Sequence, residues 1–118
     1  MAIPSRVLAS GNSPLSTTSI CGDGTVGLVA TGTTIVDALQ LSAVWNTITT
    51  SSASTGVILP PTEMGAMVGV FNNSGQTIIV YPKAGSTINA AVNLSVASAK
   101  SVIFFAINAT TWASVTTA

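Results

Sequence analysis

Side chains able to do acid–base, nucleophilic or metal chemistry are scarce in this chain. It has three acidic residues, three basic residues, one cysteine and no histidine among 118 residues. Because a serine or cysteine nucleophile usually relies on an adjacent base, the lack of histidine excludes Ser–His–Asp and Cys–His arrangements. A Ser–Lys pair is formally possible with Lys83 or Lys100, but both lysines flank turn-like segments, where a solvated lysine is the commoner case.

The acidic residues and the cysteine give no better indication of a catalytic or metal site. Asp23, Asp37 and Glu63 show no spacing that suggests a carboxylate pair, and turn or cap roles are favoured for them. One cysteine without histidine cannot form a zinc site from one chain, and a calcium site with so few carboxylates would be weak. Cys21 has no cationic residue close to it in sequence, which favours a small buried residue over a redox role. We therefore predict no enzyme activity, no cofactor and no metal.

The segment from Gly22 to Gly27 matches the pattern G-x-G-x-x-G. A dinucleotide site requires this pattern after a buried strand and at the start of a helix, with an acidic residue about 20 positions later. The preceding serines and threonines are a poor buried strand, the following residues are a poor helix, and Asp37 is too close. Turn glycines are the preferred interpretation.

The composition excludes several further classes. Charged residues make up 5% of the chain against a usual value of about 25%, so there is no basic stripe for nucleic acid and no polybasic membrane patch. The longest apolar run, Val102 to Ile107, is far shorter than the roughly 20 residues of a membrane-spanning helix, and no apolar signal region follows Arg6. We expect a soluble chain. With 47% hydrophobic residues and no net charge, we also expect it to associate with itself.

The positions of apolar residues and breakers favour an all-β fold. We predict an N-terminal arm over residues 1–24 and a single β domain over residues 25–118, with strands near 25–30, 44–50, 56–59, 66–72, 76–82, 92–97, 100–107 and 111–116. The architecture expected is a compact antiparallel β-sandwich or small barrel, with an extended arm and at most one short helix. No internal repeat of fixed period is present.

Two local motifs are specific enough to test. Residues 67–71 and 77–81, joined by Asn72-Asn73-Ser74-Gly75, form the clearest candidate for a β-hairpin. Thr34 to about Leu41 is the only candidate for a helix, because Thr34 offers a capping hydroxyl with Asp37 three residues later. A single short helix or a turn is expected there, and a strand is the competing interpretation of that segment.

A group of motifs spread over nearly the whole chain resembles a known class of protein. The chain is similar to small structural proteins of tailed bacteriophages, in particular head decoration or cement proteins, and some of the motifs also occur in domains of phage fibres. The motifs are the stretches 6–14, 20–24, 30–34, 37–41, 46–50, 55–60, 70–75 and 80–89, and the late Thr111-Trp112.

The resemblance implies a structural role and no catalytic residues. It implies a homotrimer on the outer surface of a capsid, assembled in the host cytoplasm, with the major capsid protein and other copies of itself as partners, and with no nucleic acid or membrane partner. The arm would interlock with its own trimer or with the capsid, and Arg6 is a candidate to pair with a carboxylate of a partner. The candidate partner contacts are Ile3, Arg6, Val7, Leu8, Leu15, Ile20, Trp45 and Trp112.

Two other functions remain open at this point. The first is a fibre, receptor-binding or glycan-binding β module, for which Trp45, Phe71, Tyr81, Phe104, Phe105 and Trp112 could supply an aromatic platform. The second is a small enzyme such as a depolymerase, which the missing histidine and sparse carboxylates disfavour.

Overall fold

The computed structural model describes residues 4–11, 13–14 and 22–117, and in this part of the chain almost all regular structure is β. The elements are α1 Pro4–Ala9, β1 Gly24–Val29, β2 Leu39–Gln40, β3 Trp45–Thr50, β4 Gly56–Ile58, β5 Met67–Asn72, β6 Ile78–Tyr81, β7 Thr87–Ile88, β8 Leu94–Val96, β9 Ser101–Ala106 and β10 Thr111–Thr116. All eight strands expected from the sequence are present, which confirms the β-rich class. Strand β7 was not expected, and β2 lies in the segment for which a strand was the alternative to a helix.

The strands form two sheets in a solenoid-like arrangement. A six-stranded sheet has the order β1-β3-β5-β9-β10-β7, and a four-stranded sheet has the order β2-β4-β6-β8. From β1 to β6 the chain alternates between the sheets, so that β1, β3 and β5 are parallel neighbours in one sheet and β2, β4 and β6 are parallel neighbours in the other. This part of the chain therefore winds through three successive coils.

The last third of the chain closes one end of these coils with antiparallel strands. Strand β8 pairs with β6, β9 pairs with β5, and β10 pairs with β9. Strand β7 adds a short parallel edge beside β10. The antiparallel pairing expected from the sequence is therefore found between β5 and β9, β9 and β10, and β6 and β8, whereas the coil strands pair with one another in parallel. Alternating burial does not distinguish parallel from antiparallel pairing, because a strand with one buried face shows the same pattern in both.

The core lies between the two sheets. Inward side chains of β9 alternate with outward ones, so that Val102, Phe104 and Ala106 are buried. Trp112 of β10 and Ile88 of β7 close one end of this core, and both are fully buried. Full burial of such large apolar side chains contributes roughly 1.5–3 kcal/mol each, which makes this layer the main source of stability.

The expected hairpin is wrong, although both of its strands exist. Strands β5 and β6 belong to different sheets, so the 72–77 connection carries the chain across the molecule. The buried Asn72 shapes this crossing: its Nδ2 donates to the carbonyls of Gln76 and Val96, and its Oδ1 accepts from the N–H and the hydroxyl of Ser74. These bonds bend the chain toward the other sheet instead of back onto β5.

The expected helix from Thr34 to Leu41 is a turn followed by strand β2. The capping contact itself is present, because Asp37 Oδ1 accepts from the Thr34 N–H at 2.9 Å and from its hydroxyl at 2.8 Å. The turn does not continue as a helix because Leu39 and Gln40 pair with β4 in a parallel ladder. Tertiary pairing here overrides a local helix signal.

The arm is not extended throughout. Residues 4–9 form the six-residue helix α1, which ends where Gly11 adopts a φ of 99°, a conformation suited to glycine at a helix C-terminus. The predictions made for Ile3, Leu15, Ile20 and Cys21 fall outside the described residues. No helix in the described ranges is long and apolar enough to cross a membrane.

Candidate functional site: an exposed apolar sheet face

Two of the three carboxylates hold loops and turns of the backbone in place. Asp23 Oδ1 accepts the Val44 N–H at 2.9 Å, so it fixes a loop. Asp37 serves the turn beside β2, where the two hydrogen bonds from Thr34 hold its pKa below the ordinary value of 3.8. Within the described ranges, no group of three or more His, Cys, Asp or Glu residues could hold a metal ion.

The G-x-G-x-x-G segment does not form a nucleotide-binding turn. Gly24 begins strand β1, and Gly27 lies within that strand at a φ of 78°, next to an irregularity in the pairing with β3. The segment leads into a strand where a dinucleotide site needs a helix.

The most distinctive surface is the outer face of the six-stranded sheet. The register places Met67, Phe105 and Ala113 in one row across β5, β9 and β10. A second row joins Trp45, Gly69, Ile103 and Val115. A third row contains Phe71 between Thr47 and Ser101. We call this surface the apolar face and define it by Trp45, Met67, Phe71, Ile103, Phe105 and Val115.

The apolar face is partly open to solvent and carries no charge. Trp45 is 42% exposed, Phe105 is 38% exposed and Val115 is 61% exposed. The remaining outward residues in the three rows are glycine, alanine, serine and threonine. Contiguous exposed apolar patches of this kind mark interaction sites more often than scattered single residues do. Aromatic residues and methionine are enriched at the cores of protein interfaces, where charged residues are depleted.

Trp45 is held in a defined position on this face. A Cβ atom added to Gly69 would lie 2.1 Å from Cε3 and Cζ3 of the Trp45 indole, so the ring occupies the space above the directly paired glycine. Tyr81 does the same on the four-stranded sheet, where its ring covers Gly56 and its hydroxyl donates to the Thr33 carbonyl at 2.9 Å. Each sheet thus has an aromatic side chain seated over a glycine.

An open cleft of about 300 Å³ adjoins one end of the apolar face. Its walls come from residues 42–44, from Pro60 and Pro61, and from residues 66–68, with Glu63 as the only charged side chain. Behind the wall, the buried Asn46 donates from Nδ2 to the carbonyls of Ala43 and Gly69 at 2.9 and 3.2 Å. Asn46 therefore ties the cleft to the strand that carries Trp45.

The residues suggested as partner contacts are distributed unevenly. Arg6 and Leu8 of α1 and Trp45 of β3 are exposed. Trp112 is fully buried in the core and offers no surface to a partner, so that assignment is corrected. Ile3, Leu15 and Ile20, and the side chain of Val7, lie outside the described part of the structure.

The structure also separates the six aromatic residues considered as one platform. Trp45, Phe71 and Phe105 share the apolar face, whereas Phe104 and Trp112 belong to the core and Tyr81 lies on the other sheet. Sequence reasoning missed Met67, Ile103 and Val115 as members of the face. The alternation in β5, β9 and β10 could have found them once the inward residues were known.

Comparison with known proteins identifies no relative: no family model matches the chain, and no curated protein matches it significantly.

Proposed function

We propose that this protein is a structural virion protein that decorates and stabilises a phage capsid as a homo-oligomer, most simply a trimer, bridging neighbouring capsid subunits. The observation that carries the proposal is the uncharged apolar face on a rigid β body. Burial of this face against other copies desolvates no charged group, so association has little electrostatic cost.

The rest of the molecule is consistent with a stabilising rather than a chemical role. The described residues hold no candidate metal cluster, and the three carboxylates are spread over separate loops. Many equivalent copies on a shell would each contribute modest contacts, which add up because the sites are linked. If the protein binds the assembled capsid but not its free subunits, binding stabilises the assembled state by mass action.

The experiment is a mass measurement by light scattering, followed by co-sedimentation with undecorated capsids. We expect a stable trimer that pellets with undecorated capsids and does not pellet with capsids whose decoration sites are already filled. Deletion of residues 1–21, which leaves the Asp23 contact to Val44 intact, should weaken capsid binding. A monomer that ignores capsids contradicts the proposal.

A second function is favoured by one observation, the half-exposed ring of Trp45. One side of the indole covers Gly69 while 42% of the residue is exposed, which is the arrangement of a side chain that stacks on a sugar. This supports a fibre or receptor-binding β module. Binding to a glycan array that is lost in Trp45→Ala would favour this alternative, and an array without hits would disfavour it.

A further inference from the structure

We propose that the cleft beside the apolar face receives helix α1 of a second copy of this chain, with Arg6 of one copy paired to Glu63 of the other. This inference rests on the homo-oligomer proposed above and specifies one of its contacts.

The cleft has the composition expected of a surface that binds a short apolar segment with one cation. Its walls are alanine, valine, proline and methionine side chains with one serine, and Glu63 supplies the single charge. Within the described part of the chain, the Glu63 carboxylate forms no ion pair and accepts no hydrogen bond. Its backbone carbonyl accepts the Ala66 N–H at 2.9 Å, which fixes the loop that presents it.

Helix α1 has the matching composition. Its described side chains, Ser5, Arg6, Leu8 and Ala9, are all exposed, so the helix is not seated in the cleft of its own chain. A helix of six residues is too short to be stable on its own and needs tertiary contacts. Burying Leu8 against the cleft walls of another copy would supply them.

The few charges in the chain leave little choice of partner for Glu63. Lys83 donates to Gln40 Oε1, and Lys100 lies at the far end of β5 and β9 from the cleft, where its carbonyl accepts the Asn72 N–H. Arg6 is the remaining basic residue, and it forms no ion pair within the described residues. Its guanidinium can bind a carboxylate through two parallel hydrogen bonds.

The chain enters the body next to the cleft. Gly22 packs against the side chain of Val44, and Asp23 binds the Val44 N–H, while Val44 itself lines the cleft. Ser10 and Gly22 are twelve residues apart in the sequence, a length that can span at most about 40 Å. The shortest dimension of the molecule is 28 Å, so this segment is long enough to carry helix α1 beyond the body of its own chain.

Charge reversal tests the pair in the full-length chain, with mass followed by light scattering as the protein is diluted. Arg6→Glu and Glu63→Lys should each raise the concentration needed for assembly at least tenfold, because each places like charges together. The double variant R6E/E63K should restore assembly. Lys100→Glu, which makes the same charge change as Arg6→Glu away from the cleft, should have little effect. Circular dichroism verifies that each variant is folded.

Mixing the two single variants shows whether the contact joins different copies. An equal mixture should recover assembly only in part. In a mixed trimer, each contact between an R6E chain and an E63K chain joins opposite charges, but the one contact between two chains of the same variant still joins like charges. Oxidation of R6C/E63C in a C21S background should likewise give covalent dimers and trimers on a non-reducing gel. If assembly recovers in R6E/E63K but not in the mixture, and the cross-links form only within monomers, the Arg6–Glu63 contact lies within one chain. That result would overturn the proposed contact between copies.

The failure of this inference is distinct from the failure of the proposed function. If the wild type is a trimer that binds capsids while both charge reversals leave its assembly unchanged, the Arg6–Glu63 contact is wrong and the proposed function stands. If the wild type is a monomer that ignores capsids, both are wrong.

Discussion

The indole of Trp45 covers Gly69, the residue directly paired with it on the neighbouring parallel strand. This contact fixes the largest side chain of the apolar face without burying it, because the ring lies on the outside of the sheet. A glycine in a central strand would otherwise leave a gap in side-chain packing, and the ring fills it. On the other sheet the Tyr81 ring also covers a glycine, Gly56, although the residue paired with Gly56 is Ile79.

Gly69→Ala should displace the Trp45 ring, because the added methyl group would lie 2.1 Å from two ring carbons. We expect a loss of roughly 1–3 kcal/mol in the free energy of unfolding, as for other overpacked sites. Urea unfolding followed by tryptophan fluorescence measures this. The matched control is Gly24→Ala, where the new methyl group would have only ordinary contacts at 3.8 Å, so the substitution should be neutral or stabilise the protein by up to about 1 kcal/mol. Equal losses in both variants would contradict the packing argument.

Phe105→Lys should prevent self-association while leaving the β fold intact. Phe105 lies between Met67 and Ala113 on the outer side of the sheet, so a charge there must be desolvated when two copies meet. Light scattering should show a shift from trimer toward monomer, with an unchanged circular dichroism spectrum. Val36→Lys is the control, because Val36 is 91% exposed and lies outside the apolar face. Loss of assembly in both variants would mean that any added charge disrupts it.

Asn72→Ala should be among the most destabilising polar substitutions. The Asn72 side chain makes four hydrogen bonds, all of which are lost in the variant. We expect a loss of about 2–4 kcal/mol, since a typical hydrogen bond contributes about 0.5–1.5 kcal/mol. Urea unfolding of Asn73→Ala provides the comparison, because Asn73 is exposed and only its backbone N–H bonds to Ile48. A loss below about 1 kcal/mol at Asn72 would show that the crossing does not depend on this side chain.

Ala90→Gly should stabilise the protein. Ala90 has a φ of 65°, in the left-handed region, where an L side chain costs about 1–2 kcal/mol. Glycine removes this strain but loses more conformational entropy on folding, which offsets part of the gain. The net gain expected in thermal or urea unfolding is roughly 0.5–1 kcal/mol. Ala91→Gly, at the adjacent exposed position with ordinary φ, should be neutral or destabilising. A gain at Ala91 and none at Ala90 would contradict the strain argument.

The turn at Asp37 should make stability depend on acid. The hydrogen bonds from Thr34 lower the pKa of Asp37 in the folded state, so its contribution is fully present above the unfolded pKa of about 3.8. The contribution is lost as the pH falls through the lower folded value. In urea unfolding between pH 7 and pH 2, Asp37→Asn should therefore lose less stability on acidification than the wild type. An equal loss of stability on acidification in Asp37→Asn and in the wild type would contradict this prediction.

Several local features could be predicted from the sequence because their causes are local. The Thr34–Asp37 contact formed as expected since three residues of chain bring the hydroxyl, the N–H and the carboxylate together. The outcome of that contact could not be predicted, because the decision between helix and strand came from pairing of Leu39 with Val57, 18 residues away. The same reasoning applies to Asn72, whose partner Val96 lies on a distant strand.

The candidate site was predicted less completely than the fold. Trp45 was singled out as a partner contact and is exposed, whereas Trp112 was singled out in the same way and is buried. The two tryptophans have similar surroundings in the sequence, with small and β-branched neighbours. The two residues differ in which face of the sheet they occupy: Trp45 lies on the outer face and Trp112 on the face that meets the core. The sequence of a single strand does not reveal which of its faces meets the core.

The sequence by itself determined where eight of the ten strands lie, which residues break them, and that the chain has almost no charge. These properties follow from residue type and from alternation over a few positions. The tertiary structure alone decided that the strands wind as coils. Trp45 pairs with Gly24, 21 residues before it, and with Gly69, 24 residues after it, so the coils are unequal and no period appears in the sequence. Parallel and antiparallel strands with one buried face also alternate identically, and the choice depends on contacts between residues far apart in the chain.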